Sequence, residues 1–482
     1  MDTLGAELEV VSTRLEEQGP ARIIRMPHMY KDLREIFSAG LTAADPEKAI
    51  RNYLRLEGNK VLVAEEELEA ERIFILAAGK AAGAMSRAAE ELLGERVKGG
   101  VLVTKDDHDG GSGNLEVFFA SHPEPDQRGV EAARRAEELV MSLGEGDLLL
   151  ALISGGASAL LADPAPPVGI EDLEQLTGEL LKSGAAIGEI NTVRKHVSAL
   201  KGGRLVQGAA PAKVLALLLS DVVGDEPSSI ASGPTVPDPT KLDDAKKVLQ
   251  RYRIDPPQSV KDLLEVSGET PKPGDPIFEG VVNVVCGGGR HAVEAAARKS
   301  GDLGYEPLIL SSLFTGDASA MASVYAAMIR ESLATGNPLP PPCALVSGGE
   351  ATVTVRGEGT GGPNQEFALA LATELEGVAG WAAVAADTDG NDGSTNAAGG
   401  MVDGATAEAI REGGMDPTEA LTNNDAHAAL HSVGALLVTG PTGTNVNDLR
   451  VALVESPETK RRRKKSDEAR EESLLASEQL LE

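Results

Sequence analysis

Short apolar runs alternate with segments of helix-like spacing over most of this chain. The runs include RIFILAA at 72–78, GVLVT at 100–104, LLLALI at 148–153 and VLALLL at 214–219. Three of these four are followed directly by glycine or a small polar residue, and the runs at 72–78 and 148–153 then lead into a segment rich in Ala and Leu. Strands that are apolar without alternation are typical of parallel sheets with helices on both faces. The pattern therefore predicts an α/β fold whose main sheet is mostly parallel.

A second series of elements begins near residue 281. Strands are predicted at 281–286, 344–346 and 381–386, and the alternating ATVTVR at 351–356 predicts a hairpin strand. The polar stretch at 256–275, which contains several Pro and Gly, predicts the connection between two domains. The division that follows is an amino-terminal extension at 1–30, a first domain at 31–270, a second domain at 275–455 and a charged tail at 456–482.

The stretch LLLALISGGASALL at 148–161 predicts a buried strand, a turn at Ser154-Gly155-Gly156 and the start of a helix. A helix start offers unpaired N–H groups, glycines let an anion approach the backbone, and Ser154 and Ser158 add hydroxyl donors. An anion or phosphate site is one interpretation. An ordinary strand-to-helix turn is the other, because short Gly-rich loops are weak motifs.

Acidic residues follow two of the predicted strands. Asp221 and Asp225 come after one strand, and Asp387, Asp389 and Asp392 come after another. Because ligands bind at the carboxyl ends of parallel strands, such carboxylates can hold Mg²⁺ or act as a general base. The alternative is that these side chains cap turns by bonding to nearby backbone N–H groups.

Basic residues cluster in INTVRKHVSALKGGR at 190–204. If this segment is helical, Arg194, Ser198 and Lys201 share one face and Lys195 lies on another. Cations placed together in an acidic protein would neutralise a polyanion such as ATP, or a carboxylate. A solvated helix face is the alternative.

Composition narrows the classes of function. The net charge of −30 argues against a general nucleic-acid or anionic-membrane binder, and KRRRKK at 460–465 is most simply a solvated tail. No apolar run approaches 18 residues and no secretory segment is present, which indicates a cytoplasmic protein. Cys286 and Cys343 lack zinc spacing and are expected to be buried thiols. The absence of a Walker A sequence and of GxGxxG after a strand disfavours a P-loop kinase and a standard dinucleotide-dependent dehydrogenase.

Eight stretches carry a specific combination of motifs: ILAAGKAAGAM, ASHPEPD, LISGGASALL, INTVRKHVSALKGGRL, LLLSDVVGDEPSSIASGPTVPD, VSGGEATVTVRGEGTGGPNQEFALALA, AADTDGNDGSTNAAGGMVD and LLVTGPTGTNVNDL. Within the span from about Lys31 to Val454, they resemble the glycerate 2-kinase family, whose carboxyl-terminal part is the MOFRL domain. The resemblance implies a Rossmann-like first domain with helices on both faces, a mixed α/β MOFRL-type second domain and an active site in the cleft between them. It also implies phosphoryl transfer from ATP to D-glycerate, giving 2-phosphoglycerate, with Mg²⁺ or another divalent cation.

The resemblance also suggests roles for individual residues. Lys80 matches the family's catalytic lysine, whereas Pro363 stands where the family often has an arginine in GGRNQE. Arg356, Arg194 or Lys201 would have to supply that second cation instead. The catalytic residues expected are Lys80, Asp225 and Arg194, and the metal ligands expected are Asp221 and Asp389. The residues expected to bind glycerate or ATP are Ser154, Gly155, Gly156, Ser158, Lys195, Lys201, Ser347, Gly348, Gly349, Glu350, Gly361, Gly362, Asn364 and Gln365.

Two other functions stay open at this point. One is NAD(P)H-dependent reduction of hydroxypyruvate, and the other is non-catalytic binding of a sugar acid or nucleotide. The expected partners are the small-molecule substrates, with no nucleic acid and no membrane, and a homodimer is left open. The sequence does not distinguish a 2-phosphate from a 3-phosphate product.

Overall fold

The computed structural model describes residues 27–111 and 113–456. Most of the predicted amino-terminal extension and nearly all of the charged tail, with its basic run at 460–465, lie outside the described residues. The chain forms two compact units. The parallel-sheet unit comprises Ala44–Gly288 and Gly443–Val446, and the described part of the mixed-sheet unit comprises 27–43, Gly289–Thr442 and 447–456.

The parallel-sheet unit is built on six parallel strands. The six are β4 (Arg72–Ala78), β5 (Val97–Lys105), β6 (Glu116–Ala120), β7 (Asp147–Ile153), β8 (Lys213–Leu219) and β9 (Val281–Gly287). Before them in sequence, β1 (Leu54–Glu57), β2 (Lys60–Val63) and β3 (Glu66–Glu69) form a separate antiparallel sheet. The main sheet has the order β6-β5-β4-β7-β8-β9, and each neighbouring pair is parallel. β7 is buried along its whole length, as expected for a strand covered on both faces. The predicted α/β architecture is confirmed.

Helices of this unit present small side chains to the sheet. The helix Gln127–Met141 buries Ala132, Ala133, Ala136 and Val140, a spacing that lies on one helical face. Its first turn is capped by Asp126, whose carboxylate accepts from the N–H of Gly129 at 3.1 Å. The α-helices of the unit are Pro46–Tyr53, Ala82–Leu93, Gln127–Met141, Ala157–Leu160, Ile170–Lys182, Ile187–His196, Arg204–Ala209, Leu242–Arg251 and Gln258–Val266.

Four of these helices form a separate apolar cluster. The helices Ile170–Lys182, Ile187–His196, Leu242–Arg251 and Gln258–Val266 contribute its buried Leu, Ile and Val side chains. The stretch at 256–275, expected to connect domains, therefore includes a packed helix. The strand after it, β9, pairs in parallel with β8 rather than opening a second sheet.

The mixed-sheet unit has six strands of both directions. They are β10 (Glu306–Asp317), β11 (Cys343–Thr352), β12 (Trp381–Asp387), β13 (Gly399–Asp403), β14 (Leu436–Leu437) and β15 (Asp448–Val454). Their order is β10-β11-β15-β12-β13-β14, in which only β10 and β11 are parallel. This agrees with the mixed α/β second domain expected from the resemblance.

Helices cover both faces of the mixed sheet. They are Pro27–Ala43, Gly289–Asp302, Ala318–Thr335, Pro363–Glu374, Thr406–Glu412, Pro417–Thr422 and Ala426–Ser432. The helix Pro363–Glu374 is buried from Asn364 to Ala372, so it lies inside the unit. The helix Pro27–Ala43, which the sequence-based division placed mostly in the first domain, packs its apolar face within this unit. The boundaries of the functional domains stay a prediction.

Two local predictions are wrong. The strand predicted at 344–346 continues through Ser347-Gly348-Gly349 as part of β11, and the hairpin strand predicted at 351–356 is limited to its first two residues. Apolarity alone placed the end of β11 too early, because backbone pairing with β15 extends along the glycines. Both cysteines are buried free thiols, as predicted.

Candidate active site

A cavity of about 720 Å³ opens at the carboxyl-terminal edge of the parallel sheet. Residues that follow β6, β7 and β8 line one part of it, and the helices Ile170–Lys182 and Ile187–His196 line another. This is the edge at which ligands bind in parallel sheets. Its lining includes Gly155, Gly156, Ser158, Arg194 and Lys201 of the predicted site, together with Asp221.

The ends of β4 and β7 are held together by side chain and backbone. The N–H of Lys80 donates to the carbonyl of Gly155 at 2.9 Å, and the N–H of Ala81 donates to Oγ of Ser154 at 3.0 Å. Gly79 has φ of 125°, and a Cβ there would lie 2.2 Å from Oγ of Ser154. Only glycine fits this junction, which fixes Lys80 beside the turn after β7. Ser154 is buried, and its hydroxyl holds the backbone that follows Lys80 in place.

Two side chains approach that turn from the same side. A Cβ added to Gly156 would lie 3.1 Å from Cδ2 of His122 and 3.4 Å from Cγ of Lys80. Nothing in the described part of the chain hydrogen-bonds the ring of His122 or the ammonium of Lys80. Burial, followed by the positive charge of Lys80 and of two further basic groups, lowers the pKa of His122 to about 4. His122 is therefore a neutral imidazole facing the cavity.

A carboxyl group lies beside the other glycine of the turn, Gly155. A Cβ added to Gly155 would lie 2.1 Å from Oδ2 of Asp221, so the carboxyl group touches the backbone there. Burial raises the pKa of Asp221, and the charge of Lys80 opposes that shift. The turn is thus flanked by a cation and a carboxylate that feel each other's charge.

The helix predicted after this turn is only one turn long, Ala157–Leu160. Prolines at 164, 166 and 167 follow closely, and proline cannot continue a helix. An anion here would be bound by local N–H groups rather than by a helix dipole. The N–H groups of Gly155, Gly156 and Ser158 reach no acceptor among residues 27–111 and 113–456.

The guanidinium of Arg194 is a cation without a partner among the described residues. It is half-buried in the cavity wall, and within residues 27–111 and 113–456 it forms no hydrogen bond or ion pair. Burial without a neighbouring negative charge lowers its pKa. The helix ends at His196, so Ser198 and Lys201 do not share a helical face with Arg194 as the continuous-helix interpretation required. All three nevertheless line the same cavity.

The two lysines of this segment are already paired. Lys195 is buried and lies 3.3 Å from Oδ1 of Asp238. The same carboxylate accepts from Thr240 through Oδ1 and from Thr270 through Oδ2. Lys201 is buried in an ion pair with Asp163 and donates to the carbonyl of Leu161 at 2.9 Å. These contacts indicate that both lysines stabilise the wall of the cavity. Their predicted role in binding substrate stays a prediction.

Asp225 lies beside the end of β9. A Cβ added to Gly288 would lie 2.5 Å from its Oδ1, and its N–H donates to the carbonyl of Val222 at 3.0 Å. Unlike Asp221, Asp225 is not among the residues that line the cavity. Its predicted catalytic role stays a prediction.

The remaining predicted residues belong to the mixed-sheet unit. Ser347 is buried in β11, where its Oγ accepts from the hydroxyl of Tyr325 at 2.7 Å, and Gly348 and Gly349 pair with Leu449 and Asp448 of β15. Glu350, the next residue of β11, is exposed. The second Ser-Gly-Gly therefore lies within a strand and differs from the turn at Ser154.

The start of the helix Pro363–Glu374 is occupied by a carboxylate of the protein. Asp392 accepts from the N–H of Asn364 at 3.0 Å and from the N–H of Gln365 at 2.8 Å, while Gly362 is the residue before the helix. Gly361, one residue earlier, is half-buried. Proline at the first helical position fits Pro363 locally. The predicted phosphate-binding loop thus has its helix N–H groups already satisfied.

The acids after β12 lie close together. Burial, followed by the charge of Asp389 and of other aspartates, raises the pKa of Asp387 to about 8. Asp389 accepts from the N–H of Asn391 at 2.8 Å. Within the described ranges, no group of three or more His, Cys, Asp or Glu side chains is arranged to hold a metal ion. The predicted role of Asp389 as a metal ligand stays a prediction.

Two of the cavity residues outside the predicted site are His122 and Asn191. His122 follows strand β6, and Asn191 lies in the helix Ile187–His196. Asn191 is buried and accepts from Ser232, which in turn lies 3.2 Å from Oγ of Ser158. Position after a strand was a usable signal for His122, whereas the link from Asn191 to Ser158 depends on tertiary contacts.

Known proteins match this chain over most of its length. A family profile described as "Domain of unknown function (DUF4147)" matches residues 32–265, and the MOFRL family profile matches 343–448. A protein of Thermotoga maritima named D-glycerate 2-kinase is 42% identical over 421 residues, which cover 87% of this chain and 97% of its own. The chain belongs to the glycerate 2-kinase family.

Other matches agree with membership of the glycerate 2-kinase family. A crystal structure of a glycerate kinase from Thermotoga maritima has a TM-score of 0.81 and 41% identity, covering 89% of this chain and all of that one. An Agrobacterium vitis protein with a provisional hydroxypyruvate reductase name is 42% identical over 88% of this chain and 94% of its own. The resemblance drawn from the motifs is therefore confirmed. In the part of the chain that the structure describes, none of the helices has the length and apolarity to cross a membrane.

Proposed function

We propose that this chain transfers the γ-phosphoryl group of ATP to the 2-hydroxyl of D-glycerate, giving 2-phosphoglycerate. The observation that carries the proposal is that Asp221 lies against Gly155 and Lys80 lies against Gly156, in a turn whose two glycines line a 720 Å³ cavity. A cation and a carboxylate around free backbone N–H groups suit a phosphoryl group and its metal ion. The choice of glycerate as the phosphoryl acceptor rests on the relatives named glycerate kinase.

The chain's own groups would act mainly by position and charge. The N–H groups of Gly155, Gly156 and Ser158 would donate to phosphate oxygens, and Lys80 would stabilise the charge on the group in transfer. Arg194, whose guanidinium lacks a partner in the described part of the chain, would bind a second anionic group, either a phosphate or the glycerate carboxylate. Placing these donors in a half-buried cavity strengthens their effect and limits the access of water.

Asp221 fits a divalent cation better than Asp389 does. Its half-buried carboxyl group lies beside Gly155 and lines the cavity, and magnesium sites in such enzymes use one or two carboxylates plus substrate phosphates. The ion would neutralise charge on the phosphates. Asp389 belongs to the other unit and already accepts from Asn391.

His122 is the group best placed to take the hydroxyl proton. Its ring has no partner within the described ranges and lies beside Lys80 and Gly156. Burial and then the charge of Lys80 lower its pKa in the free protein. Phosphates bound at Lys80 would cancel part of that positive field, which raises the basicity of the imidazole when substrate is present.

Turnover of ATP with glycerate, with separation of the phosphoglycerate isomers, tests the proposal. We expect 2-phosphoglycerate from the wild type and a fall of at least about a hundredfold for Lys80→Ala, the effect of losing one charge contact in the transition state. Lys98→Ala, an exposed change on β5, is the control. Normal turnover in folded Lys80→Ala would remove Lys80 from the mechanism. NADH oxidation with hydroxypyruvate, and no turnover of ATP, would replace the proposal with a reductase.

A further inference from the structure

The outer end of the cavity is apolar. Leu181 and Ile187 line it, yet 59% of Leu181 and 61% of Ile187 remain exposed. They flank the short connection between the helices Ile170–Lys182 and Ile187–His196. Single exposed apolar side chains are common, but two that line the same cavity form a surface that a ligand can cover.

Helical spacing directs one face of each helix to the cavity. Leu173, Thr177 and Leu181 recur every fourth residue along the first helix and line the cavity, while Leu176 and Leu180 are buried in the helical cluster. Packing of that cluster thus fixes the direction in which Leu181 points.

The second helix joins the apolar end to the polar end. Ile187, Asn191 and Arg194 line the cavity in that order. Arg194 lies seven residues from Ile187, roughly 10 Å along the axis. Asn191 is linked through Ser232 to Ser158 at the phosphate-binding turn. An occupant that touched both ends would be apolar at one end and anionic at the other.

We propose that Leu181 and Ile187 form the surface on which the base of ATP rests, with the phosphate chain directed toward Arg194 and the Gly155–Gly156 turn. This inference rests on the proposed function. Of the two substrates, only the nucleotide has an apolar planar face, because every carbon of glycerate bears oxygen. The cavity is also far larger than a three-carbon acid requires.

Comparing ATP with inorganic tripolyphosphate tests this directly, because tripolyphosphate has the phosphates without the base. The variant is Leu181→Asn combined with Ile187→Asn, and affinities for both ligands are measured by calorimetry with Mg²⁺. We expect the dissociation constant for ATP to rise about tenfold while that for tripolyphosphate stays unchanged. KM for glycerate should also stay unchanged. Both positions are exposed, so folding should survive, and thermal unfolding checks this.

Val266→Asn is the matched control, since Val266 is 81% exposed in the same group of helices and does not line the cavity. Equal weakening of both ligands, or no weakening of ATP, would overturn the inference. A rise in KM for glycerate alone would assign the surface to the acceptor instead. If the wild type bound ATP through this surface but failed to phosphorylate glycerate, the base site would stand and the proposed function would fall.

Discussion

Replacing Arg194 with methionine should remove activity without destabilising the protein. Its guanidinium is half-buried in the cavity wall and has no hydrogen-bond or ion-pair partner within the described ranges. Burial lowers its pKa, which means that folding disfavours the charged form. At neutral pH the side chain remains charged, so the free protein carries that cost. Methionine has a similar length and removes the charge, and it should leave the melting temperature unchanged or higher.

The loss of activity can be estimated from charge interactions. Two opposite unit charges about 4 Å apart interact by about 4 kcal/mol at an effective dielectric constant near 20. Measured losses for single transition-state donors are about 3–4 kcal/mol. Since each 1.36 kcal/mol is about tenfold in rate, we expect kcat/KM to fall by about 100- to 1000-fold.

Arg204→Met serves as the comparison, because we expect it to lower stability, whereas Arg194→Met should lower activity. Arg204 is also half-buried, but its Nη1 donates to the carbonyls of Lys195 at 2.9 Å and Ser198 at 2.5 Å. Its loss leaves these acceptors unpaired and should cost about 1–3 kcal/mol of stability. Steady-state kinetics and thermal unfolding of both variants form the assay. Wild-type kcat/KM in folded Arg194→Met, or marked destabilisation of it, would refute the reasoning.

Three further predictions concern other side chains. His122→Asn should lower kcat more than it changes KM for ATP, because the imidazole acts on the hydroxyl proton; kinetics at saturating ATP measure this. Asp387 has a raised pKa of about 8, so the stability it contributes is lost as pH rises from about 4 toward 8, and Asp387→Asn should flatten the fall of melting temperature over that range. Asp392→Ala should lower the melting temperature by leaving the N–H groups of Asn364 and Gln365 without an acceptor.

Each of these has a distinct contrary result. Unchanged kcat in His122→Asn would mean that a group other than His122 accepts the hydroxyl proton. An unaltered pH profile in Asp387→Asn would mean that this carboxyl group does not hold a proton in the folded state. A melting temperature equal to wild type in Asp392→Ala would mean that water satisfies the helix start.

In the parallel-sheet unit, strand ends were predictable because parallel strands buried on both faces have uninterrupted apolar sequences. Lys80, the turn at Ser154 and Asp221 each follow such a run, so the sequence places all three at one edge of the sheet. The resemblance to a family supplied the reaction. Neither depended on knowing which residues meet across long stretches of sequence.

What escaped prediction depends on partners distant in sequence. Lys195 and Lys201 were indistinguishable from Arg194 by spacing, yet each has an aspartate partner about 40 residues away, whereas the guanidinium of Arg194 has none among the described residues. The Gly-rich loop before Pro363 had the composition of an anion site, but Asp392, 28 residues from Asn364, takes its N–H groups. The local sequence shows which groups can donate hydrogen bonds, but it does not show which distant carboxylates accept them.

The mixed-sheet unit also constrains the order in which the chain can fold during synthesis. Its helix Pro27–Ala43 is made early, whereas β15, an interior strand of its sheet, is completed only at Val454. Nearly all of the parallel-sheet unit is translated between these two events. The apolar side chains Leu33, Ile36 and Phe37 of this helix therefore stay exposed to solvent until the elements that bury them have left the ribosome. A nascent chain stalled before β15 should bind chaperones through that helix.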